Sequence, residues 1–583
     1  MILKIGLIFS ISLLLLAEFF HKISSITQDL GRHLLNGQII LQTHSLPKTN
    51  FFSFTYPDFP FINSHWLSEV VFYLVFKLSG FDGLLIFTTL IALAAFSFIF
   101  FYALKRFGLI PTAITSILYL NILSERTDLR PEILSFLFLS LFMIILYKYQ
   151  EKFTKWIFVL PLIEFFWANT HIYFFIGISI VGLFLIDNLI ANRKKLKNKD
   201  TFVLALVFFG SIAASFINPN GIEGALYPLK VFENYGYSIE ENQNIFFLES
   251  LGFNKPAVLF LKVSFVFLFT SLIFSFKKTR PLDWMLFFFF SILSVAVVRN
   301  LPVFVFGTFI VFNQNFSMFY KNLITFLHKR NKNIDLLSEK SIASSLLIIC
   351  LIVIIILFMK VSFSRHSFGF GVETGAKNGA DFFISQNLKG PIFNNFDIGS
   401  YLDFRLYPKE KVFIDGRPEA YPASFFKDVY IPMQENEAIF EKVSEKYKLN
   451  SIFFAYTDQT PWANLFIKQI INNKKWKLVY LDDYAVILIK NTSSDNKVLD
   501  KFSVDPNLID INSLNLKGKE SFLRLALLFS KTGLKDQEIK THQKILEIDP
   551  SFCPSLYSLS FLLSKEQSPL FPVFAGRYKQ ICR

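Results

Sequence analysis

Long apolar segments dominate this chain and decide what it can fold into. Of its 583 residues 52 % are hydrophobic, including 75 Phe, which is far from the composition of a soluble domain. Several of these segments reach about 18 to 20 residues, the length that a helix needs to cross roughly 30 Å of hydrocarbon. The sequence therefore predicts a polytopic α-helical membrane protein with about 11 transmembrane helices. The predicted spans are 2–20, 82–104, 108–124, 131–148, 156–172, 174–190, 201–217, 257–276, 283–298, 302–319 and 342–361.

Lys and Arg residues are concentrated in alternate loops between these spans. Such loops face the cytoplasm, and this orientation accounts for the net charge of +14 without nucleic-acid binding. The segment 67–78 is apolar but too short to span. Counting it as a span would destroy the charge bias, so we predict a helix lying on or dipping into the outer face there. The basic loops are at Lys105-Arg106; Lys148, Lys152 and Lys155; Arg193-Lys194-Lys195 with Lys197 and Lys199; Lys277-Lys278 with Arg280; and Lys329-Arg330 with Lys332.

This arrangement leaves a first external loop at 21–81, a second at 218–256, and all of 362–583 outside the cytoplasm. The unusual polar residues fall in these regions or at the outer ends of spans, which indicates a single site at the outer membrane face. A carboxylate beside His, Arg and Glu side chains suits a general base opposite an anionic leaving group. The alternative is an interfacial polar loop anchored by Trp66. The outer-face candidates are Asp29, Arg32, His33, His65, Glu69, Arg126, Arg130, Asn169, His171, Glu223 and Arg299.

After the last predicted span the pattern changes to alternating short strands and helices. This alternation predicts a compact extracytoplasmic α/β domain at 362–495. Within it, Asp415-Gly416-Arg417 follows a predicted strand and is either a turn with an internal Asp–Arg pair or a contact for the acceptor. The predicted strands are 391–393, 411–415 and 451–455, with a hairpin at 475–489.

The last part of the chain, 496–583, predicts a short helical tail. Its pattern at 519–565 resembles a tetratricopeptide helix pair with the start of a next repeat. A single repeat is too small to be stable alone, so we expect it to pack on the α/β domain or on a partner. Cys553 and Cys582 lie in this tail, and the sequence does not decide whether they pair.

The first external loop carries a recognisable series of motifs. An early acidic residue, Asp29, is followed by Gly37 and Pro47, then by Asn50-Phe51-Phe52-Ser53-Phe54-Thr55 and by His65-Trp66-Leu67-Ser68-Glu69. Together with the number of spans and the extracytoplasmic C-terminal domain, this plan resembles the integral-membrane glycosyltransferases of the GT-C superfamily. These include protein O-mannosyltransferases, oligosaccharyltransferases and lipid A aminoarabinose transferases. The resemblance covers most of 1–361, which we expect to be a GT-C-like transmembrane domain.

The resemblance implies a hexosyl- or pentosyltransferase that moves a sugar from a polyprenyl-phosphate carrier to a glycan, lipid or protein acceptor. It implies Asp29 as the catalytic base, with Glu69 as the substitute because Thr27 stands where many members have a first acidic residue. The implied donor-phosphate ligands are Arg126, Arg130 and Arg299. The implied sugar and acceptor pocket comprises Arg32, His33, His65, Asn169, His171 and Glu223.

The resemblance also implies a bacterial inner-membrane location. The expected partners are the lipid-linked sugar, the acceptor, the bilayer and a protein bound by the tail, but no nucleic acid. Some superfamily members use a divalent metal ion and others do not, so metal dependence stays open. Two other interpretations stay open as well. A transporter or flippase would spread polar groups through the membrane depth, and a non-catalytic scaffold would recruit envelope enzymes through its tail.

Overall fold

The computed structural model describes residues 2–25, 29–192, 198–230, 235–330, 368–373, 375–492 and 496–582, with isolated positions between 344 and 356. Thr27, the basic residues at 193–195 and 197, Lys332 and most of the predicted span 342–361 therefore lie outside the described residues.

The N-terminal half is a bundle of apolar helices, and the protein is a multi-pass membrane protein. Among the described residues, five helical segments are long and apolar enough to cross a membrane: Trp66–Phe107, Glu132–Glu151, Phe174–Ala191, Pro256–Phe274 and Val298–Asn322. Each of the first ten predicted spans coincides with a helix. These helices, with three external ones, are α1 (Ile2–Phe19), α2 (Leu30–Thr43), α3 (Trp66–Phe107), α4 (Leu109–Leu123), α5 (Glu132–Glu151), α6 (Leu160–Thr170), α7 (Phe174–Ala191), α8 (Lys199–Ser215), α9 (Gly221–Lys230), α10 (Ile245–Ser250), α11 (Pro256–Phe274), α12 (Pro281–Ala296) and α13 (Leu301–Arg330).

Helix α3 joins the predicted external helix at 67–78 to the predicted span at 82–104. The two pieces meet at Gly80, whose φ of 65° and ψ of −164° are not helical. A side chain at this backbone conformation would be strained, which is why a glycine suits the kink. The sequence prediction therefore missed the continuity of α3 but correctly separated its two parts.

The C-terminal part contains a four-stranded mixed sheet in the order β1-β2-β4-β3. Strands β1 (Ile392–Asn394) and β2 (Ser451–Ala455) are parallel, whereas β4 (Ala485–Lys490) is antiparallel to both β2 and β3 (Trp476–Leu481). The sheet is buried on both faces, with Phe393 and Phe454 in one core and Ile392 and Phe453 in the other. The predicted strand at 411–415 is not a strand: Val412 makes only single bridges, to Ile392 and to Ser53.

Helices surround this sheet and continue into the tail. The helices predicted between 519 and 565 are present, and their assignment to the tetratricopeptide class stays a prediction. Cys553 and Cys582 form a disulfide with their Cα atoms 5.7 Å apart. The helices are α14 (Lys377–Ser385), α15 (Phe396–Leu406), α16 (Ala423–Phe425), α17 (Ile431–Glu435), α18 (Glu437–Lys446), α19 (Pro461–Ile470), α20 (Asn496–Phe502), α21 (Gly518–Thr532), α22 (Lys535–Ile548), α23 (Cys553–Lys565) and α24 (Phe571–Cys582).

The first external loop joins the membrane bundle to the C-terminal sheet. The backbone N–H of Phe54 donates to the carbonyl of Val412 at 3.1 Å, and the N–H of Val412 donates to the carbonyl of Phe52 at 3.3 Å. Arg417 is fully buried here; it pairs with Asp415 at 2.9 Å and donates to Asn50 Oδ1 at 2.6 Å. The predicted internal Asp–Arg pair is therefore present, and it fixes the sheet domain over the outer ends of α2 and α3.

Candidate functional site

A cavity of about 180 Å³ lies between the membrane bundle and the C-terminal domain. Its wall on the membrane side comes from α2, from the segments before α3 and α5, and from the segments that join α6 to α7 and α12 to α13. Its other wall comes from the start of α15 and from the loop at 416–419. The sequence-predicted residues that line it are Asp29, Arg32, His33, His65, Arg130, His171 and Arg299.

Asp29 lies at the N-cap position of α2, at the seam between the two walls. Arg32, one turn later, places a guanidinium nitrogen 3.4 Å from its carboxylate. From the C-terminal domain, the Ser400 hydroxyl donates to Asp29 Oδ1 at 3.4 Å. A Cβ on Gly416 would lie only 2.6 Å from that same oxygen. Burial opposes ionisation of Asp29, but the cations Arg32 and Arg130 outweigh it and hold the pKa of this carboxyl well below its usual range.

His33 and Glu69 form a buried pair beside Asp29. Nδ1 of His33 lies 2.8 Å from Oε1 of Glu69, and the amides of Asn36 and Asn63 donate to the same carboxylate at 3.1 and 2.5 Å. The Glu69 side chain does not line the cavity and is completely buried. Its effect on the cavity therefore passes through the imidazole of His33.

Three histidine rings follow one another along the cavity. The ring centroids of His33 and His65 are 5.5 Å apart, and those of His65 and His171 are 5.2 Å apart. Burial, together with the nearby His171, His33 and Arg32, lowers the pKa of His65 well below its ordinary value. This imidazole is therefore neutral at pH 7. Within the described residues, no group of three or more His, Cys, Asp or Glu side chains is placed to hold a metal ion.

A cluster of arginines and glutamates forms part of the wall on the membrane side of the cavity. Arg126 makes a bidentate pair with Glu132 at 2.8 and 2.9 Å and also contacts Glu241. Arg130 donates to Glu241 at 2.8 Å. Arg299 lies 3.9 Å from Glu132. Arg130 and Arg299 reach the cavity, whereas Arg126 lies behind them.

Two other predicted pocket residues lie away from the cavity. Asn169 is buried, accepts a hydrogen bond from Trp66 Nε1 at 2.8 Å, and donates to the carbonyls of Phe165 and Ile217. Glu223 is exposed on α9. In this structure Asn169 therefore ties α6 to α3, and Glu223 contributes nothing to the cavity lining.

Sequence reasoning missed four acidic residues at the cavity, namely Glu132, Glu241, Asp397 and Glu419. Glu132 begins α5, and Glu419 lies two residues after the Asp415-Gly416-Arg417 run that the sequence singles out. Glu241 carried no signal, because it becomes part of the site only through pairing with Arg130, 111 residues away.

The acidic residues of the C-terminal wall have raised pKa values. The Asp397 side chain is open to the cavity, but desolvation between the two walls, together with the carboxylates of Asp458 and Asp29, raises its pKa to about 7. Burial likewise raises the pKa of Glu419, against the opposing charge of Arg32. These carboxylates change their charge much closer to neutral pH than Asp29 does.

A second cavity of about 250 Å³ adjoins the first. The two share Ile172, Tyr235, Ile239, Asn242 and Arg299 as lining residues. The remaining lining is mostly apolar or aromatic, including Phe175, Pro228, Tyr237, Leu293 and Val297. An anionic group beside Arg299 in the first cavity would therefore have a largely apolar space next to it.

No protein-family model matches the sequence, and no curated protein matches it. Among solved structures, the Archaeoglobus fulgidus oligosaccharyltransferase tethered to an acceptor peptide superposes with a TM-score of 0.58 at 11 % identity, covering 95 % of this chain and 86 % of that one. The archaeal oligosaccharyltransferase AglB in complex with an inhibitory peptide and a dolichol-phosphate gives 0.57 at 12 % identity, covering 94 % and 86 %. The chain shares the fold of these oligosaccharyltransferase structures.

This shared fold covers nearly the whole chain, including the C-terminal domain. The resemblance found in the sequence is therefore confirmed at the level of the fold. ArnT from Cupriavidus metallidurans bound to undecaprenyl phosphate matches with a TM-score of 0.47 at 12 % identity, covering 84 % of this chain and 98 % of that one.

Proposed function

We propose that this protein is a membrane glycosyltransferase that moves a sugar from a polyprenyl-phosphate carrier to an acceptor outside the cytoplasm. The observation that carries the proposal is the convergence of Asp29, His33, Arg130 and Arg299 on one cavity beneath the C-terminal domain. These residues come from segments far apart in the sequence. The GT-C fold supports the same reaction class, because a structure with that fold holds a dolichol-phosphate.

The donor phosphate would bind Arg130 and Arg299. Guanidinium groups suit a phosphate because they donate two parallel hydrogen bonds. Nε of Arg299 is buried and has no hydrogen-bond partner among the described residues, so a donor remains for an anion. The largely apolar second cavity begins at this same side chain and would take the start of the isoprenoid chain. Arg126 would act indirectly, by holding Glu132 and Glu241 in place.

The acceptor would enter from the C-terminal domain and meet the sugar near Asp29. Asp29 is the carboxylate of the membrane domain that touches both walls, so we assign it to the reacting centre. Asp397 and Glu419 would bind the acceptor from the opposite wall. In this proposal the C-terminal domain lies outside the cytoplasm, at the outer face of a bacterial inner membrane. The helical tail is the part that would bind a protein partner.

The test is a donor screen with purified protein in lipid nanodiscs. A panel of polyprenyl-phosphate sugars is offered with extracted envelope acceptors, and release of free polyprenyl phosphate is followed. We expect release by the wild type and a loss of about 100-fold or more in Asp29→Asn, since a preorganised charge at the reacting centre contributes on that scale. Asp58→Asn, in the same external loop but exposed and away from the cavity, is the matched control and should keep full activity.

A transporter or a scaffold would give a different result. Neither breaks the sugar–phosphate bond, so no donor would be consumed by the wild type. Lipid-linked sugar crossing the bilayer without release of polyprenyl phosphate would identify a flippase. Equal release by the wild type and Asp29→Asn would keep the enzyme class and remove Asp29 from the reacting centre.

A further inference from the structure

The pair His33–Glu69 has a geometry that fixes which imidazole nitrogen faces the cavity. Nδ1 of His33 lies 2.8 Å from a carboxylate oxygen of Glu69. An ionised carboxylate only accepts hydrogen bonds, so Nδ1 must carry the hydrogen. In the neutral ring Nε2 then holds the lone pair. His33 lines the cavity, and no described residue provides a hydrogen-bond partner for Nε2.

Glu69 is held in place more firmly than a lone surface carboxylate would be. The amides of Asn36 and Asn63 donate to its two oxygens, and Asn63 in turn accepts the N–H of His65 at 3.0 Å. Helices α2 and α3 also touch at this level, because a Cβ on Gly37 would collide with the backbone oxygen of Glu69. The sequence thus supplies a glycine and two amides that lock one carboxylate against one imidazole.

Asp29 and His33 differ in their ability to take a proton. The neighbouring cations hold the pKa of Asp29 far below neutral, which makes it a weak proton acceptor. Burial and Arg32 also lower the pKa of His33, against the opposing effect of Glu69 and Asp29, so this ring is neutral near pH 7. The charged and titratable groups around it are Arg32 and Asp29 from α2, Glu69 from α3, and the rings of His65 and His171.

We propose that His33 is the general base of the transfer and that Glu69 is its positioning residue. The proposal rests on the glycosyltransferase function above. Nε2 of His33 removes the proton from the acceptor hydroxyl as the acceptor oxygen forms its bond to the anomeric carbon. The bond from that carbon to the phosphate oxygen breaks, and the lipid phosphate leaves with the electron pair beside Arg130 and Arg299. The proton later passes from His33 to solvent.

In this assignment Asp29 has a separate task. It stays ionised and stabilises positive charge that develops on the sugar ring in the transition state. Glu69 does not touch substrate: it keeps the hydrogen on Nδ1 and stabilises the imidazolium that forms. The arrangement is the same in principle as a carboxylate that holds a catalytic histidine in the correct tautomer.

The experiment is the pH dependence of polyprenyl-phosphate release, measured with a donor that the wild type accepts, for His33→Gln, Glu69→Gln and the control His44→Gln. His44 is exposed at the end of the same helix and outside the cavity. We expect a fall of about 10² to 10⁴-fold for His33→Gln, the usual contribution of a general base. His44→Gln should match the wild type.

The pH profile separates a base from a structural residue. Protonation of His33 should give the wild type an acid limb below pH 6.5, and His33→Gln should lack that limb. Glu69→Gln should lower the rate at least about 10-fold and move the limb to lower pH, because the carboxylate that raises the histidine pKa is gone. Added imidazole should restore part of the activity of His33→Ala, which a folding defect would not allow.

The results distinguish a failure of the proposed glycosyltransferase function from a failure of the assignment of His33 and Glu69. If the wild type releases no lipid phosphate from any donor, the proposed function fails and this assignment fails with it. If the wild type is active and both variants keep its rate and its acid limb, His33 is not the base although the enzyme class stands. If Glu69→Gln loses activity without any shift of the limb, the positioning role of Glu69 is refuted.

Discussion

The two walls of the cavity are built in opposite ways. On the membrane side, Arg130 and Arg299 are held by the glutamates Glu241 and Glu132, so cations and anions are already paired. On the side of the C-terminal domain, Asp397 and Glu419 form no ion pair with any described residue, and their pKa values are raised. The first wall is preorganised for an anion and changes little with pH. The second wall adjusts its charge near neutrality.

The largest effect is expected at the residue that holds the second wall in place. Arg417→Ala removes the partner of Asp415 and of Asn50, together with stacking on Phe52 and Phe61 at 5.1 and 4.7 Å. Breaking a buried pair on one side costs about 3–5 kcal/mol, so thermal unfolding in detergent should begin many degrees lower. Arg405→Ala, whose pair with Asp381 is half-exposed, should cost about 1 kcal/mol or less. Equal melting curves for the two variants would contradict the anchoring role.

The next effect is expected on the membrane-side wall. Arg299→Gln removes a charged hydrogen-bond donor, worth about 1.5–3 kcal/mol, and should raise the KM for the lipid-linked donor about 10 to 100-fold with stability unchanged. Arg106→Gln, an exposed arginine that pairs with Glu151, is the control. A lower kcat at unchanged KM would show that Arg299 stabilises the transition state and does not contribute to binding of the donor.

The smallest effect is expected at Asp397. Its carboxyl has a pKa of about 7 in the folded protein against an ordinary 3.8. Between those values the folded state binds more protons than the unfolded state, so this carboxyl lowers the stability of the folded protein progressively as pH rises from about 4 to about 7. Asp397→Asn should therefore melt slightly above the wild type at pH 5 and further above it at pH 8. If the melting temperatures of Asp397→Asn and the wild type differ by the same amount at both pH values, Asp397 does not titrate in this range.

Local spacing was enough to place some of these residues and not others. Asp29 lies about one helical turn before Arg32 and His33, and a shared helical face for Asp29 with either Arg32 or His33 follows from that spacing alone. Glu241 becomes part of the site only by pairing with Arg130, 111 residues away, and Glu419 only because the C-terminal domain packs over α2; one sequence carries no signal for either arrangement. The failed strand at 411–415 has a similar cause. Its backbone bonds go partly to the first external loop, since Ser53 bridges Val412.

The helices were easier to predict, because hydrophobic length alone decides where an apolar segment can lie. The continuity of α3 through Gly80 was missed for a related reason. The segment at 67–78 is too short to span and is therefore predicted as a separate helix, and only the structure shows that the chain bends at Gly80 without a loop.

The contact between Asn50 and Arg417 also has a consequence for synthesis. The two residues are 367 positions apart, and ribosomes add about 5–20 residues per second. In the proposed orientation, the first external loop is therefore exported roughly 20–70 s before its partner exists. During that interval its aromatic residues Phe52, Phe54 and Phe61 have no sheet to cover them. The nascent protein should thus be a client of extracytoplasmic chaperones until the ribosome has passed residue 417.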